Sequence, residues 1–265
     1  MIVQFVALVP ARAAASAQRA PFPKDSLSRR SFLSAQGPSL STTLDPMTPF
    51  DSASDAPFNS TPTSPRALSW ASNAMYDGAL LASEDARGRT LRSASGAPLG
   101  ALQLVDTAGC DCDERQEEEG ASRDNPGEAA VAMRIVADLI SSGAVAADDV
   151  GIITPYSAQV GLLRELRAAS EDTRMARVEI ATVDGFQGRE KDCVVLSATR
   201  SNEKGDVGFL ADARRMNVAV TRARMHCVLV CDTDTVGRHD AFLRRLVAHF
   251  EARGEYVAAS EFDEE

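Results

Sequence analysis

Arg222 stands in the run Thr221-Arg222-Ala223-Arg224. It closes a pattern that begins at Asp212, in which Met216, Val218, Ala219 and Val220 mix with Arg214, Arg215, Arg222 and Arg224. The spacing predicts a helix with one apolar face and cations late in it. A guanidinium held on a rigid element can place donors where charge develops during phosphoryl transfer, an effect on the order of 10³–10⁵ in rate. The residues alone leave a second use open, in which Arg222 pairs with a carboxylate and only pins the helix. Upstream, Asp184 to Lys191 carries two glycines, a glutamine and four charges. A glycine such as Gly188 lets backbone approach a phosphate or ribose closely. A carboxylate such as Glu190 can accept from ribose hydroxyls or position an arginine. A plain polar turn between two strands uses the same residues. Arg214 and Arg215 fall near a helix start, where a cation opposes the macrodipole unless an anion or carboxylate is close.

The flanking elements would position these groups. Val178 to Val183 is a short β-branched run with the composition of a strand, and Cys193 to Leu196 is a continuous apolar run suited to a strand buried on both faces. Ala101–Asp106 and Val150–Thr154 read as further strands, and His226–Cys231 as the last one. Between them, Asn125-Pro126-Gly127-Glu128 opens a helix that Gly143 stops, with Glu128 in the first turn. Pro155 opens another, in which Val160, Leu162, Leu163 and Leu166 recur at helical spacing, and Ala241–Ala252 is amphipathic. Strands alternating with helices imply an α/β fold with a parallel sheet covered on both faces. Open sheets of this kind place ligands at the loops leaving their strands.

Composition excludes several classes. The chain has 265 residues, a net charge of −10 and a pI near 4.9, which argues against a basic module that binds nucleic acid by bulk electrostatics. No apolar run approaches the roughly 20 residues of a membrane span. Five cysteines, three of them in or beside apolar strand patterns, suit reduced thiols and an intracellular setting, cytoplasmic and/or nuclear. Cys110 and Cys112 have no second pair, so no zinc site is expected. The acidic run Asp111–Glu119 lacks ligand-loop spacing and reads as a solvated loop, leaving no metal site. The sole tryptophan, Trp70, reads as a packing residue, and the three histidines receive no role.

The segments VDGFQGRE and RRMNVAVTRAR closely resemble motifs V and VI of superfamily 1 helicases. The best-fitting branch contains the nonsense-mediated-decay helicase and the immunoglobulin mu-binding protein, the second being the nearer. Thr154-Pro155-Tyr156, with Gln159 one turn later, resembles motif IV. The resemblance runs from about Trp70 to the C-terminus and implies a RecA-like second helicase domain over residues 67–265. It implies that Arg222 is the catalytic arginine aimed at the γ-phosphate, and that Gln187, Gly188, Glu190 and Arg215 border the nucleotide. It places Thr154, Pro155, Tyr156, Thr182 and Asp184 against single-stranded DNA or RNA, through hydroxyls and backbone amides on phosphates. For Tyr156 the alternative is a core aromatic with its hydroxyl at the rim. Arg200, Ser201 and Asn202 end a strand near the same groove.

The pattern also departs from that family. The sequence holds no G-x-x-x-x-G-K-[ST], no paired-carboxylate motif II and no QYRMH-like segment. ATP and Mg2+ are therefore expected to be held mainly by a first RecA-like domain supplied in cis or in trans. Residues 1–66, rich in Ser, Pro, Ala and Thr without any helix or strand period, read as disordered. Residues 1–34 contain a single carboxylate, Asp25, a composition compatible with an organelle transit peptide; an untargeted tail or a misplaced start is the plainer alternative. The expected activity is that of the C-terminal half of an ATP-dependent 5′-to-3′ helicase. The alternatives are a stand-alone, non-catalytic module that binds nucleic acid or a partner helicase, and an unrelated α/β protein.

Overall fold

A computed structural model describes residues 65–78, 89–116 and 122–262. The segment expected to be disordered lies outside them up to residue 64; Pro65 and Arg66 begin helix α1, Pro65–Met75. The strands are β1 Leu102–Asp106, β4 Val150–Thr154, β5 Glu179–Thr182, β6 Lys191–Ser197, β7 Ala223–Cys231 and β8 Glu255–Ala258. A short antiparallel ribbon, β2 Arg115–Gln116 and β3 Arg123–Asp124, stands apart. The helices after α1 are α2 Pro126–Ser141, α3 Ser157–Ala169, α4 Ala213–Val220, the short α5 Thr233–Val236, and α6 Ala241–Arg253.

The sheet has six strands in the order β5-β4-β6-β7-β1-β8, and every pairing is parallel. The middle of its central strands is apolar, Ile152–Ile153 in β4, Cys193–Leu196 in β6 and Cys227–Cys231 in β7, as burial on both faces requires. One face packs with residues of α4 and α6, such as Met216, Ala219, Leu243 and Phe250, and with Trp70 of α1. The other packs with residues of α2 and α3, such as Val131, Ile135, Val160 and Leu163. This is the RecA-like α/β plan. Trp70 is a packing residue, 5.4 Å from Phe242 and 5.5 Å from His249 by ring centroid. All five cysteines are free. No helix among the described residues is long and apolar enough to cross a membrane.

Three details differ from the sequence reading. The helix expected to carry Arg222 and Arg224 ends at Val220, and Ala223 already belongs to β7. Arg222 therefore occupies the turn between them and Arg224 the strand. The cause is the β-favouring stretch that follows, which begins pairing with Lys191 at Ala223. The edge strand β8 was not anticipated; it is short and half exposed, so it carries little apolar signal. Glu114, within the run read as solvated, has a side chain only 8% exposed, because Arg200 and Arg123 both pair with it. Residues 117–119 of that run lie outside the described residues.

The connection from β5 to β6 positions the site. Parallel strands usually need a crossover of a dozen or more residues, commonly a helix. Here residues 183–190 descend from the carboxyl end of β5 to the amino end of β6, and β4 lies between those strands. Phe186, fully buried, lies against Gly151 of β4: a Cβ at Gly151 would stand 2.6 Å from the Phe186 ring. The absent side chain is what lets this strap cross the strand. Replacing Gly151 with Ala should cost about 1–3 kcal/mol by overpacking. Denaturant titration should show a lower midpoint with an unchanged slope.

Candidate functional site

Both ends of the sheet carry the polar residues singled out by sequence. At the amino edge, Arg222 meets the strap. Its backbone carbonyl accepts from Lys191 N at 3.1 Å, and its Nη1 lies 3.5 Å from the carbonyl of Arg189. Nε donates to the carbonyl of Val218 at 3.1 Å, where a cation also suits the carboxyl end of α4. Nη2 lies 3.4 Å from Thr221 Oγ1. Among the described residues its partners are carbonyls and a hydroxyl, with no carboxylate, so the helix-pinning ion pair is absent. Glu190, half-buried, keeps Oε2 buried without a hydrogen-bond partner among the described residues, and the buried Asn217 keeps Oδ1 likewise. Gln187 is exposed, and Gly188 has φ +79 with open space where a Cβ would project. The amino edge thus presents unspent polar atoms beside a guanidinium. Arg224, by contrast, is used up by Asp192 at 2.7 Å and Asp149 at 3.3 Å.

Arg215 sits at the other end of α4. Asp212 caps that helix, accepting from the amides of Arg214 and Arg215. The Arg215 guanidinium reaches Asp184 Oδ2 at 3.1 Å and Asp212 Oδ2 at 3.7 Å. These carboxylates answer the question raised by cations at a helix start. They also join a residue grouped with the nucleotide, Arg215, to one grouped with nucleic acid, Asp184. The strap is therefore tied to α4 at its top through Asp184 and at its bottom through Arg222.

At the carboxyl edge the chain turns outward from β4 to α3 on one face and from β6 to α4 on the other. The point between β4 and β6 is thus a topological switch, where open α/β sheets bind ligands. Thr154, at the end of β4, is fully buried, and its hydroxyl lies 3.0 Å from that of Thr199, just past β6. Tyr156 is 2% exposed. Its geometry is that of a core aromatic with a committed hydroxyl, so both residues support the edge rather than line its surface. Pro155 and Thr182 are half-buried; Thr182 Oγ1 accepts from Gly185 N at 3.2 Å, and Asp184 is exposed.

Sequence reasoning did not find the buried polar assembly beneath this edge. Glu128, in the first turn of α2, is wholly buried. Its Oε1 accepts from Ser197 Oγ at 2.5 Å and Thr199 N at 2.7 Å, while Oε2 has no partner among the described residues. Gln159 donates to Ser197 Oγ at 3.0 Å and accepts from Asn125 N at 2.8 Å. Asn125 Nδ2 donates to the Thr199 carbonyl at 3.2 Å. Thr199 is held at φ +72, a left-handed conformation unusual for a β-branched residue. The sequence marks Glu128 only as a dipole-favoured acid in a first helical turn; the pairing of β6 with its neighbours reveals that the helix start is aimed into the sheet edge.

A domain model described as "AAA domain" matches residues 63–234. The chain belongs to this AAA-domain family, in the form found at the C-terminal end of superfamily 1 helicases. The rat DNA-binding protein SMUBP-2 is 46% identical over 198 residues, covering 73% of this chain and 19% of that protein. The Saccharomyces cerevisiae DNA polymerase alpha-associated DNA helicase A is 42% identical over 139 residues, covering 52% and 20%. Regulator of nonsense transcripts 1 of Caenorhabditis elegans is 37% identical over 147 residues, covering 54% and 14%. The chain thus spans about a fifth or less of these curated relatives. The helicase branch expected from sequence is the one found.

Burial raises the Glu128 carboxyl from its ordinary range to about 8, against the opposing bonds from Ser197 and Thr199, with Asp232 adding repulsion. The folded protein then holds a proton that the unfolded chain releases near 4.5. Stability from this group should be intact below pH 4.5 and fall as pH rises toward 8, by up to about 1.4 kcal/mol per pH unit. Glu128→Gln should flatten that decline in thermal melts between pH 5 and pH 8; an unchanged slope would remove the assignment of the proton to Glu128.

Proposed function

We propose that this chain is the C-terminal RecA-like half of an ATP-dependent 5′-to-3′ nucleic-acid helicase. The observation that carries the reading is Arg222: a guanidinium placed on the QGRE strap without a carboxylate partner among the described residues, while Glu190 of the same strap keeps a buried carboxylate oxygen without a hydrogen bond. Such a group supplies positive charge to a developing phosphoryl transition state approaching from outside the chain. In this reading Arg222 is the catalytic residue. Gln187, Gly188 and Glu190 border the nucleotide, and Arg215 bridges from it to the nucleic-acid edge through Asp184. Thr182, Pro155 and the loop after β5 face single-stranded DNA or RNA, while Thr154 and Tyr156 hold that edge in place from beneath.

ATP is the substrate, and its phosphates belong on the opposite wall of the cleft, a first RecA-like domain in cis or in trans. Among the described residues no group of three or more His, Cys, Asp or Glu side chains converges to hold a metal ion. The described residues do not fit Mg2+ ligation, and we assign the metal to the complementary domain. The names of the relatives support the helicase reading: one is a DNA helicase, another a DNA-binding protein.

In a protein that combines this chain with its complementary domain, Arg222→Ala should lower ATP turnover by about 10³-fold or more. Binding to a single-stranded oligonucleotide should stay within a few-fold of the parent. Steady-state ATPase assays beside fluorescence anisotropy check both. Turnover close to the parental rate removes the catalytic assignment; loss of single-strand binding instead means that Arg222 serves the fold.

A further inference from the structure

Phe209 has no part in the site described so far. It lies in the turn Gly208–Ala211 on the way from β6 to α4, at the carboxyl edge, and 45% of it is exposed. A single exposed phenylalanine ordinarily means little. This one is fixed from beneath. The Tyr156 ring lies 5.2 Å from it, tilted by 43°. The Tyr156 hydroxyl accepts from Phe209 N at 3.1 Å and donates to the Val207 carbonyl at 3.3 Å. A phenol has one proton to donate, so the third partner, Arg200 Nη1 at 3.1 Å, is a donor to it.

Arg200 is itself only 2% exposed and is held by Glu114 at 2.6 and 3.2 Å and by Asp206 at 3.2 Å. Gly208 adopts φ +48, and a Cβ there would collide with the Arg200 guanidinium and the Tyr156 hydroxyl. Glu114 further accepts from Ser201 N and Asn202 Nδ2, both at 3.1 Å, so the whole stretch after β6 is fastened. Buried ion pairs of this kind contribute little net stability but can fix a unique geometry. What this assembly fixes on the outside is one aromatic ring. Tyr156 also follows directly on Thr154 and Pro155, so the ring is tied to the end of β4 across the switch point between β4 and β6.

We propose that Phe209 is a stacking platform for one base of a single strand passing over the carboxyl edge. This rests on reading that edge as the nucleic-acid face. A base offers a π-face whatever its identity, so a rigid ring contributes affinity without sequence preference. It would do so in a protein of net charge −10, which lacks bulk electrostatic attraction for phosphates.

The test uses the full chain with labelled oligo-dT and oligo-U, read by anisotropy, together with a strand carrying 2-aminopurine. Phe209→Ala and Phe209→Leu should each weaken binding by roughly 5- to 150-fold. Phe209→Trp should hold parental affinity, and the 2-aminopurine quenching should survive in the Trp variant and vanish in the Ala variant. Circular dichroism melts establish that each variant is folded. Folded Phe209→Ala with parental affinity and quenching overturns the stacking proposal while leaving the edge assignment standing. A Leu variant as good as Trp overturns it too, since that points to plain apolar contact. Absence of binding by the parent chain to either oligonucleotide overturns the edge assignment and this proposal with it.

Discussion

The crossing of β4 by residues 183–190 constrains everything else. The connection is built from consecutive turns rather than an extended run: Asp184–Phe186 forms a single 3-10 turn, and Gly188 turns the chain again at φ +79. The path is fixed by one ring in one gap, Phe186 over Gly151. Once that contact is made, Asp184 is delivered to Arg215 at the carboxyl edge and Arg189 to Arg222 at the amino edge. Helix α4 runs alongside, so its first turn and its last meet the two ends of the same strap.

The carboxyl edge is organised by a different balance. Placing Glu128, Gln159, Asn125, Ser197 and Thr199 under the sheet end would be expensive unless they satisfied one another. They largely do, and the exception is a single carboxylate oxygen of Glu128; burial raises the proton affinity of that group, which removes its charge without giving that oxygen a partner. A left-handed Thr199 costs on the order of 1–3 kcal/mol. It persists because its amide, carbonyl and hydroxyl each have a buried partner. Strain and buried polarity are thus gathered at the topological switch point, the place where open α/β sheets bind ligands.

Much of this was legible in the sequence, for reasons that can be stated. Continuous apolar runs such as Cys193–Leu196 declare strands buried on both faces, and the apolar spacing of Val160 and Leu163 declares a helix. QGRE and TRAR declared an edge where polar residues meet, and the strap does bring Arg189 and Arg222 together. What was hidden depends on tertiary context. Nothing local distinguishes Glu128, an acid in a first helical turn, from any solvated one. Tyr156 and Thr154 sit within a recognisable motif, yet whether a hydroxyl faces solvent or a neighbouring strand depends on register. The spacing of Met216, Val218, Ala219 and Val220 predicts a helix running on through Arg222; pairing of Ala223 with Lys191 overrides that pattern.

That override matters to the chemistry. Within a helix, Arg222 would share its side-chain direction with the residues a turn away and lie along the α4 surface. In the turn between α4 and β7 its backbone is instead clamped by Lys191, and its Nε by the carbonyl of Val218. Three of the five guanidinium donors have partners, on Val218, Arg189 and Thr221, which leaves one hydrogen on each Nη without a partner among the described residues. A cation held this way costs little reorganisation when charge develops in front of it, which is the condition under which electrostatic stabilisation is strongest. A lysine at the same position would retain the charge but lose the donor geometry that anchors it. The strap, the helix end and the strand start are thus joined at Arg222, through Arg189, Val218 and Lys191.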